Sequence, residues 1–154
     1  MPARVVNGID ELKTLVNQEI GVSDWFQVAQ ERIAEFAEAT EDRQWIHLDA
    51  ERARAESPYR STIAHGFLTL SLLSEFSREA VDIRGEFKMR INYGLNRVRF
   101  PAPVPAGSRI RGRFTLAAVE DFDGGAQVTW AVIVEVEGGS KPALAAEWVT
   151  RLYA

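Results

Sequence analysis

Thr62-Ile63-Ala64-His65-Gly66-Phe67-Leu68-Thr69-Leu70-Ser71-Leu72-Leu73-Ser74-Glu75-Phe76-Ser77-Arg78-Glu79-Ala80 is the stretch whose reading decides the fold. From Phe67 to Phe76 the apolar residues Phe67, Leu68, Leu70, Leu72, Leu73 and Phe76 point in nearly every helical direction. The polar residues among them are small hydroxyls and one charge, Glu75. A helix patterned this way has no face fit for water and belongs inside a protein. It is too short and too polar to span a bilayer, which takes about 20 consecutive, mostly apolar residues. The rest of the chain must therefore wrap it.

His65-Gly66 stands where the pattern turns helical. A glycine at a helix start lets another group approach N–H groups that have no partner within the helix. Such an end suits a carbonyl oxygen that becomes anionic during a reaction. On the glycine alone, relief of a tight turn is the simpler reading.

Composition sets the limits. The chain has 154 residues, 46% hydrophobic and 26% charged, which is ordinary for a soluble globular protein and reads as one domain over 1-154. A net charge of -4 argues against a general nucleic-acid binder, because phosphate binding needs a positive face. There is no cysteine, hence no disulfide framework, thiolate metal site or thiol nucleophile, which fits a reducing, cytoplasmic setting. The start, Met1-Pro2-Ala3-Arg4-Val5-Val6-Asn7-Gly8, has no apolar run of signal-peptide length, so no export is expected, and no membrane span is expected either.

Outward from the central stretch, the N-terminal half reads as helices. Ile9, Leu12, Leu15, Val16 and Ile20 recur at helical spacing between Gly8 and Gly21, Trp25-Phe26-Gln27-Val28 reads as a strand, and Gln30 to Ala39 returns to the helical period. Thr40 to His47 has neither period and reads as a loop with an aromatic anchor, followed by a short helix from Asp49 to Glu56 that stops before Ser57-Pro58. After residue 86 the pattern turns to strands. Phe87 to Val98 is one, and Arg109, Arg111 and Arg113 alternate with Ile110, Gly112 and Phe114 on a second, which gives it a basic face. Val128, Trp130, Val132, Val134 and Val136 share a face of the third, and Leu144, Ala146, Trp148, Thr150 and Leu152 mark the last. Helices first and long strands joined by short turns predict an α+β domain in which an antiparallel sheet curls around the apolar helix.

The chain has two histidines, His47 and His65, and both fall in the stretches already singled out. Asp42 and His47 are close enough in the chain for a turn to aim both side chains into one cavity. There an imidazole and a carboxylate can hold one water between them and move its proton. By composition alone an exposed loop is the commoner reading of such a pair. A metal site is not expected, since the histidines are far apart in sequence and no cysteine accompanies them. No G-x-S-x-G elbow, phosphate loop or dinucleotide fingerprint is present, so neither a serine hydrolase nor a nucleotide cofactor is indicated. Ser71 and Ser74 read as small residues where a sheet crosses the helix closely, and the basic strand Arg109-Arg111-Arg113 as a solvated face.

Phe36-Ala37-Glu38-Ala39-Thr40-Glu41-Asp42-Arg43-Gln44-Trp45-Ile46-His47, followed by Ile63-Ala64-His65-Gly66-Phe67-Leu68, resembles the signature of the MaoC-like dehydratases, or (R)-specific enoyl-CoA hydratases. Asn96 to Val104 is similar to that family's strand leading into a proline-rich turn. The resemblance covers most of the chain and implies a hot-dog fold. It implies that Asp42 and His47 form a hydratase dyad, that Gly66 offers its N–H to the thioester oxygen, and that Ser74 lines an acyl tunnel. Two positions depart from the pattern: Glu41 stands where the family often has glycine, and Gln44-Trp45 where it often has asparagine-proline.

The resemblance thus implies an enzyme that adds water reversibly across a trans-2-enoyl thioester to give the (R)-3-hydroxyacyl product. It would use no cofactor beyond the coenzyme A or acyl carrier protein thioester that is its substrate. The same scaffold supports two alternatives, thioester hydrolysis and non-catalytic acyl-thioester binding or an accessory role in a paired hydratase. Long, valine- and tryptophan-rich strands with an unpaired edge, together with the resemblance, lead us to expect a homodimer.

Overall fold

The computed structural model describes residues 2–154. Its main sheet contains β2 (Glu19–Val22), β3 (Phe26–Gln27), β5 (Met89–Arg99), β6 (Arg109–Phe122), β7 (Gly125–Val136) and β8 (Leu144–Tyr153). All pairs in it are antiparallel, in the order β2-β6-β7-β8-β5, with β3 also beside β6. A separate two-stranded parallel sheet joins β1 (Arg4–Asn7) to β4 (Val81–Arg84). The central helix runs as α5 (Gly66–Ser71) and α6 (Leu73–Ala80). This is the hot-dog fold, a curved antiparallel sheet around one helix, as expected.

Alternation explains how the sheet closes on the helix. On β6 the residues Ile110, Gly112, Phe114 and Leu116 face inward, while Arg109, Arg111 and Arg113 face out and pair with Glu137, Glu135 and Glu19. On β7 and β8, Val128, Trp130, Val132, Val134, Leu144 and Trp148 continue the inner face. Phe76 of α6 is fully buried and meets Phe26 edge-on at 5.9 Å. A β-carbon on Gly112 would come within 3.1 Å of the Phe76 β-carbon, so the glycine lets sheet and helix approach. Burying a phenylalanine side chain contributes about 1.5–3 kcal/mol.

Several local expectations are corrected. The helix foreseen between Gly8 and Gly21 ends early: α1 spans Gly8–Lys13, and Ile20 lies on β2. Asn17 turns the chain with φ 71°, and its N–H bonds to the Leu116 carbonyl at 2.7 Å, so sheet pairing overrides the helical spacing. The strand at Trp25 to Val28 shrinks to Phe26–Gln27, while β1 and β4 had no clear period in so few residues. The central helix is not apolar-buried all round. It tightens at Leu72, whose N–H is shared between Leu68 and Thr69 carbonyls, and it keeps an outward side. Phe67 is 68% exposed there, with Ser71 and Ser74 beside it, so these serines are not tight packing points against the sheet.

Candidate active site

Three elements converge at the start of the central helix. The first is α2 (Gln30–Thr40), whose buried Ile33 and Ala37 fix it to the core. It ends at Glu41, which takes the left-handed conformation with φ 67°. That conformation suits glycine best, so the Glu41 departure noted above sits at a position whose backbone keeps a glycine-like turn. Arg43 braces it, bonding to the carboxylates of both Glu38 and Glu41.

The second element is α3 (Trp45–Leu48), a single turn where a loop was expected. It carries His47, which is buried rather than exposed. His47 Nδ1 lies 2.7 Å from the Ile63 carbonyl oxygen. A carbonyl only accepts, so Nδ1 carries the proton and donates, leaving Nε2 as a bare lone pair. Gln30 holds the same turn from behind. Its Nε2 donates to the His47 carbonyl at 2.8 Å, and its amide oxygen accepts from the Thr62 hydroxyl.

The third element is the approach to α5. Thr62 to Ala64 are strapped to the proline-rich turn by Ala64 N–H to Val104 O at 2.8 Å and Ala106 N–H to Thr62 O at 2.9 Å. This sets His65 in extended geometry as the helix N-cap, with its ring pointing inward. The structure therefore brings Asp42, His47 and His65 together: one ligand-type atom from each lies within 4.8 Å of the others. That span between a carboxylate and an imidazole nitrogen is what a single water bridges with two ordinary hydrogen bonds. The two imidazoles stack, with centroids 3.7 Å apart and planes at 19°. Stacked rings send their in-plane lone pairs along parallel planes, so they do not converge on one point as metal ligands do.

Burial pushes the His47 imidazole below its ordinary value. The Ile63 carbonyl works against this, His65 adds to it, and Asp42 opposes it. His47 is thereby kept neutral and able to accept a proton.

Gly66 opens α5, so its N–H has no acceptor within the helix. The ring of Phe100 lies across it: a β-carbon at Gly66 would touch Phe100 at 3.0 Å. Beside it a cavity of about 180 Å³ is lined by Tyr59, Ala64, Gly66, Thr69 and Phe100. Two larger cavities, about 260 and 280 Å³, lie between the outward side of α5–α6 and β5, and they share Ser74, Asn92 and Trp148. Neither Asp42 nor His47 lines any of these spaces; Asp42 is exposed. Sequence reasoning missed Phe100, Gln30 and Thr62. No short-range pattern marks residues that meet the site only through the fold.

The sequence model of the MaoC like domain matches residues 11–138. The chain belongs to this family. It is 47% identical over 152 residues to 3-hydroxyacyl-thioester dehydratase Z of Mycobacterium tuberculosis, covering 98% of this chain and 99% of that one. Among solved structures, R-hydratase PhaJ1 from Pseudomonas aeruginosa superposes with a TM-score of 0.68 at 26% identity, over 88% of this chain and 79% of that one. A monoamine oxidase regulatory protein from Archaeoglobus superposes with a TM-score of 0.77 at 22% identity, over 99% and 98% of the two chains, and shows the shared fold. Within the described residues, no helix of this MaoC-like chain is long and apolar enough to cross a membrane.

Proposed function

We propose that this MaoC-like chain is an (R)-specific enoyl-thioester hydratase, or 3-hydroxyacyl-thioester dehydratase, with Asp42 and His47 as its dyad and Gly66 as its oxyanion donor. One observation carries the assignment of roles: His47 Nδ1 is committed to the Ile63 carbonyl, which leaves the bare Nε2 as the base, on a ring that has a nitrogen within 4.8 Å of an Asp42 carboxylate oxygen. Nearly full-length likeness to a dehydratase supports the reaction class.

The reaction follows from these parts. Water held between Asp42 and His47 attacks C3 of the trans-2-enoyl thioester as His47 Nε2 takes one of its protons. The C2–C3 π pair moves toward the thioester carbonyl, whose oxygen becomes enolate-like and takes the Gly66 N–H. The enolate then collapses as C2 receives the proton that water lost, with Asp42 orienting and relaying it. Water is thus added across the double bond, and no cofactor enters the balance. A well-placed oxyanion donor is worth about 2.7–4 kcal/mol of barrier, and positioned acid–base groups on the order of a hundred- to ten-thousandfold in rate. The two adjoining cavities past Leu70 and Ser74 would take the acyl chain.

A homodimer completes this reading. Strand β5 ends the main sheet, and it exposes Met89, Ile91, Tyr93 and Leu95. Phe67 and Phe100 extend the apolar band toward the site. A free, apolar sheet edge invites pairing with a second copy, and a partner there would roof the open groove.

Incubation with crotonyl-CoA tests the function. Loss of the conjugated enoyl absorbance without thiol release supports hydration. Thiol release at the same rate would make the chain a thioesterase, and no change in either signal would leave it a binder.

A further inference from the structure

The molecule contains one buried polar side-chain atom without a hydrogen-bond partner among the described residues, His65 Nδ1. Buried polar atoms are nearly always paired, and an exception calls for an explanation. The other ring nitrogen, Nε2, lies 2.9 Å from the main-chain carbonyl of Asp42. As the carbonyl only accepts, Nε2 holds the proton and Nδ1 is left bare. One face of the ring carries His47 at 3.7 Å, and Phe36 of α2 closes in at 5.0 Å. His65 is only 3% exposed, so its ring position is set by packing on all sides.

These contacts span three elements, which the His47–Ile63 bond and the Gln30 brace also join, but among the hydrogen bonds of the described residues only that of His65 reaches the Asp42 carbonyl. The Asp42 loop follows α2, His47 sits on α3, and His65 belongs to the helix entry that also presents Gly66. We propose that His65 is a positioning residue for the reaction. Its Nε2–H pins the main chain of Asp42, its ring face seats His47, and it ties both to the backbone that carries the Gly66 N–H. The two histidines are locked in opposite tautomers, His47 protonated on Nδ1 and His65 on Nε2. The fixed His65 tautomer explains the orphaned nitrogen: the ring can satisfy the Asp42 carbonyl with only one of its nitrogens, and the other falls in the packed interior.

The inference rests on the reading of Asp42 and His47 as the dyad, and its consequence is specific. Loss of the link to Asp42 lets the carboxylate drift relative to the His47 nitrogen. A drift near 1 Å costs on the order of a hundredfold in rate. The ring face alone does not prevent this, and the N–H does.

Two variants separate the contributions. His65→Phe keeps a flat ring against His47 but has no donor for Asp42, whereas His65→Gln keeps an N–H of similar reach and gives up the ring. On crotonyl-CoA, the phenylalanine variant is expected to lose tenfold or more in kcat per folded enzyme at little-changed KM, and the glutamine variant to recover most of that loss. Equal kcat in the two variants, or a loss seen only in melting temperature, would overturn the positioning role. A second measurement needs no variant and no activity: nitrogen-15 chemical shifts of the two histidines of the wild-type chain at neutral pH. Opposite tautomers, Nδ1–H on His47 and Nε2–H on His65, are expected. The same tautomer on both, or a reversal, would overturn the proposal whether or not the chain hydrates crotonyl-CoA.

Discussion

The imidazoles of His47 and His65 lie face to face, 3.7 Å between centroids, although eighteen positions separate them in sequence. The contact joins the turn that bears the proposed base to the entry of the central helix. A loop change that shifts α3 therefore also bears on the helix entry that carries Gly66.

Asp42→Asn and His47→Gln are each expected to reduce hydration by a hundredfold or more. The double variant should be little worse than the worse single one, because in the proposed mechanism the two residues handle the same water. Their stabilities should differ. Asp42 is exposed and its removal should leave the melting temperature nearly unchanged, while His47 is buried and bonded to Ile63 O, so its loss should cost about 1–2 kcal/mol. Steady-state kinetics and thermal melts on the three variants check this. Additive losses in rate would mean that the residues serve separate steps.

The pH profile has a defined sign. Burial lowers the His47 value in the folded chain, so the neutral, base-competent form persists below the ordinary imidazole value of about 6.5. The acid limb of kcat/KM should therefore fall below that value. Between the lowered folded value and about 6.5 the unfolded chain takes up a proton that the folded chain does not. This contribution to stability is complete above about 6.5 and is lost as pH falls through that window. An acid limb at or above 6.5 that disappears in His47→Gln would contradict the assignment of burial as the dominant influence.

Gly66→Ala places a methyl against the Phe100 ring at 3.0 Å. Phe100 is 39% exposed and can swing outward, so the melting temperature should move little while turnover falls, because the ring and methyl crowd the N–H. Phe100→Ala in the same chain should restore part of the turnover. A large melting shift with unchanged turnover per folded enzyme would reduce Gly66 to a packing role.

How much of this was legible in the sequence depends on how local the cause was. The sheet was readable because β6, β7 and β8 alternate over ten or more residues, and period two is enough to name them. The central helix was readable for its apolarity, but its outward side was not. Phe67 looks like core in sequence, and only the fold shows that it is 68% exposed. Asp42 and His47 were visible through the family signature. The burial of His47 was not, since it follows from the Ile63 carbonyl and the Gln30–Thr62 brace, contacts between residues 16 to 32 positions apart. Phe100 lies in the Asn96 to Val104 stretch that carries part of the resemblance, but no local pattern marks its contact with Gly66, 34 positions away.

The proposed dimer is tested at its edge. Leu95→Lys puts a charge on the exposed apolar band of β5 and should shift the chain toward monomer in sedimentation, with activity falling in parallel. A fully active wild-type monomer would mean that the groove is completed within one chain.

The most direct test of the account is the configuration of the product. Crotonyl-CoA is incubated with the purified chain, the 3-hydroxybutyryl product is released by base, and its enantiomers are separated by chiral chromatography. The account predicts the (R) enantiomer from wild type and almost none from Asp42→Asn. An (S) product would contradict the (R)-specific reading, and a racemic one the placement of water by Asp42 and His47 on one face of the double bond.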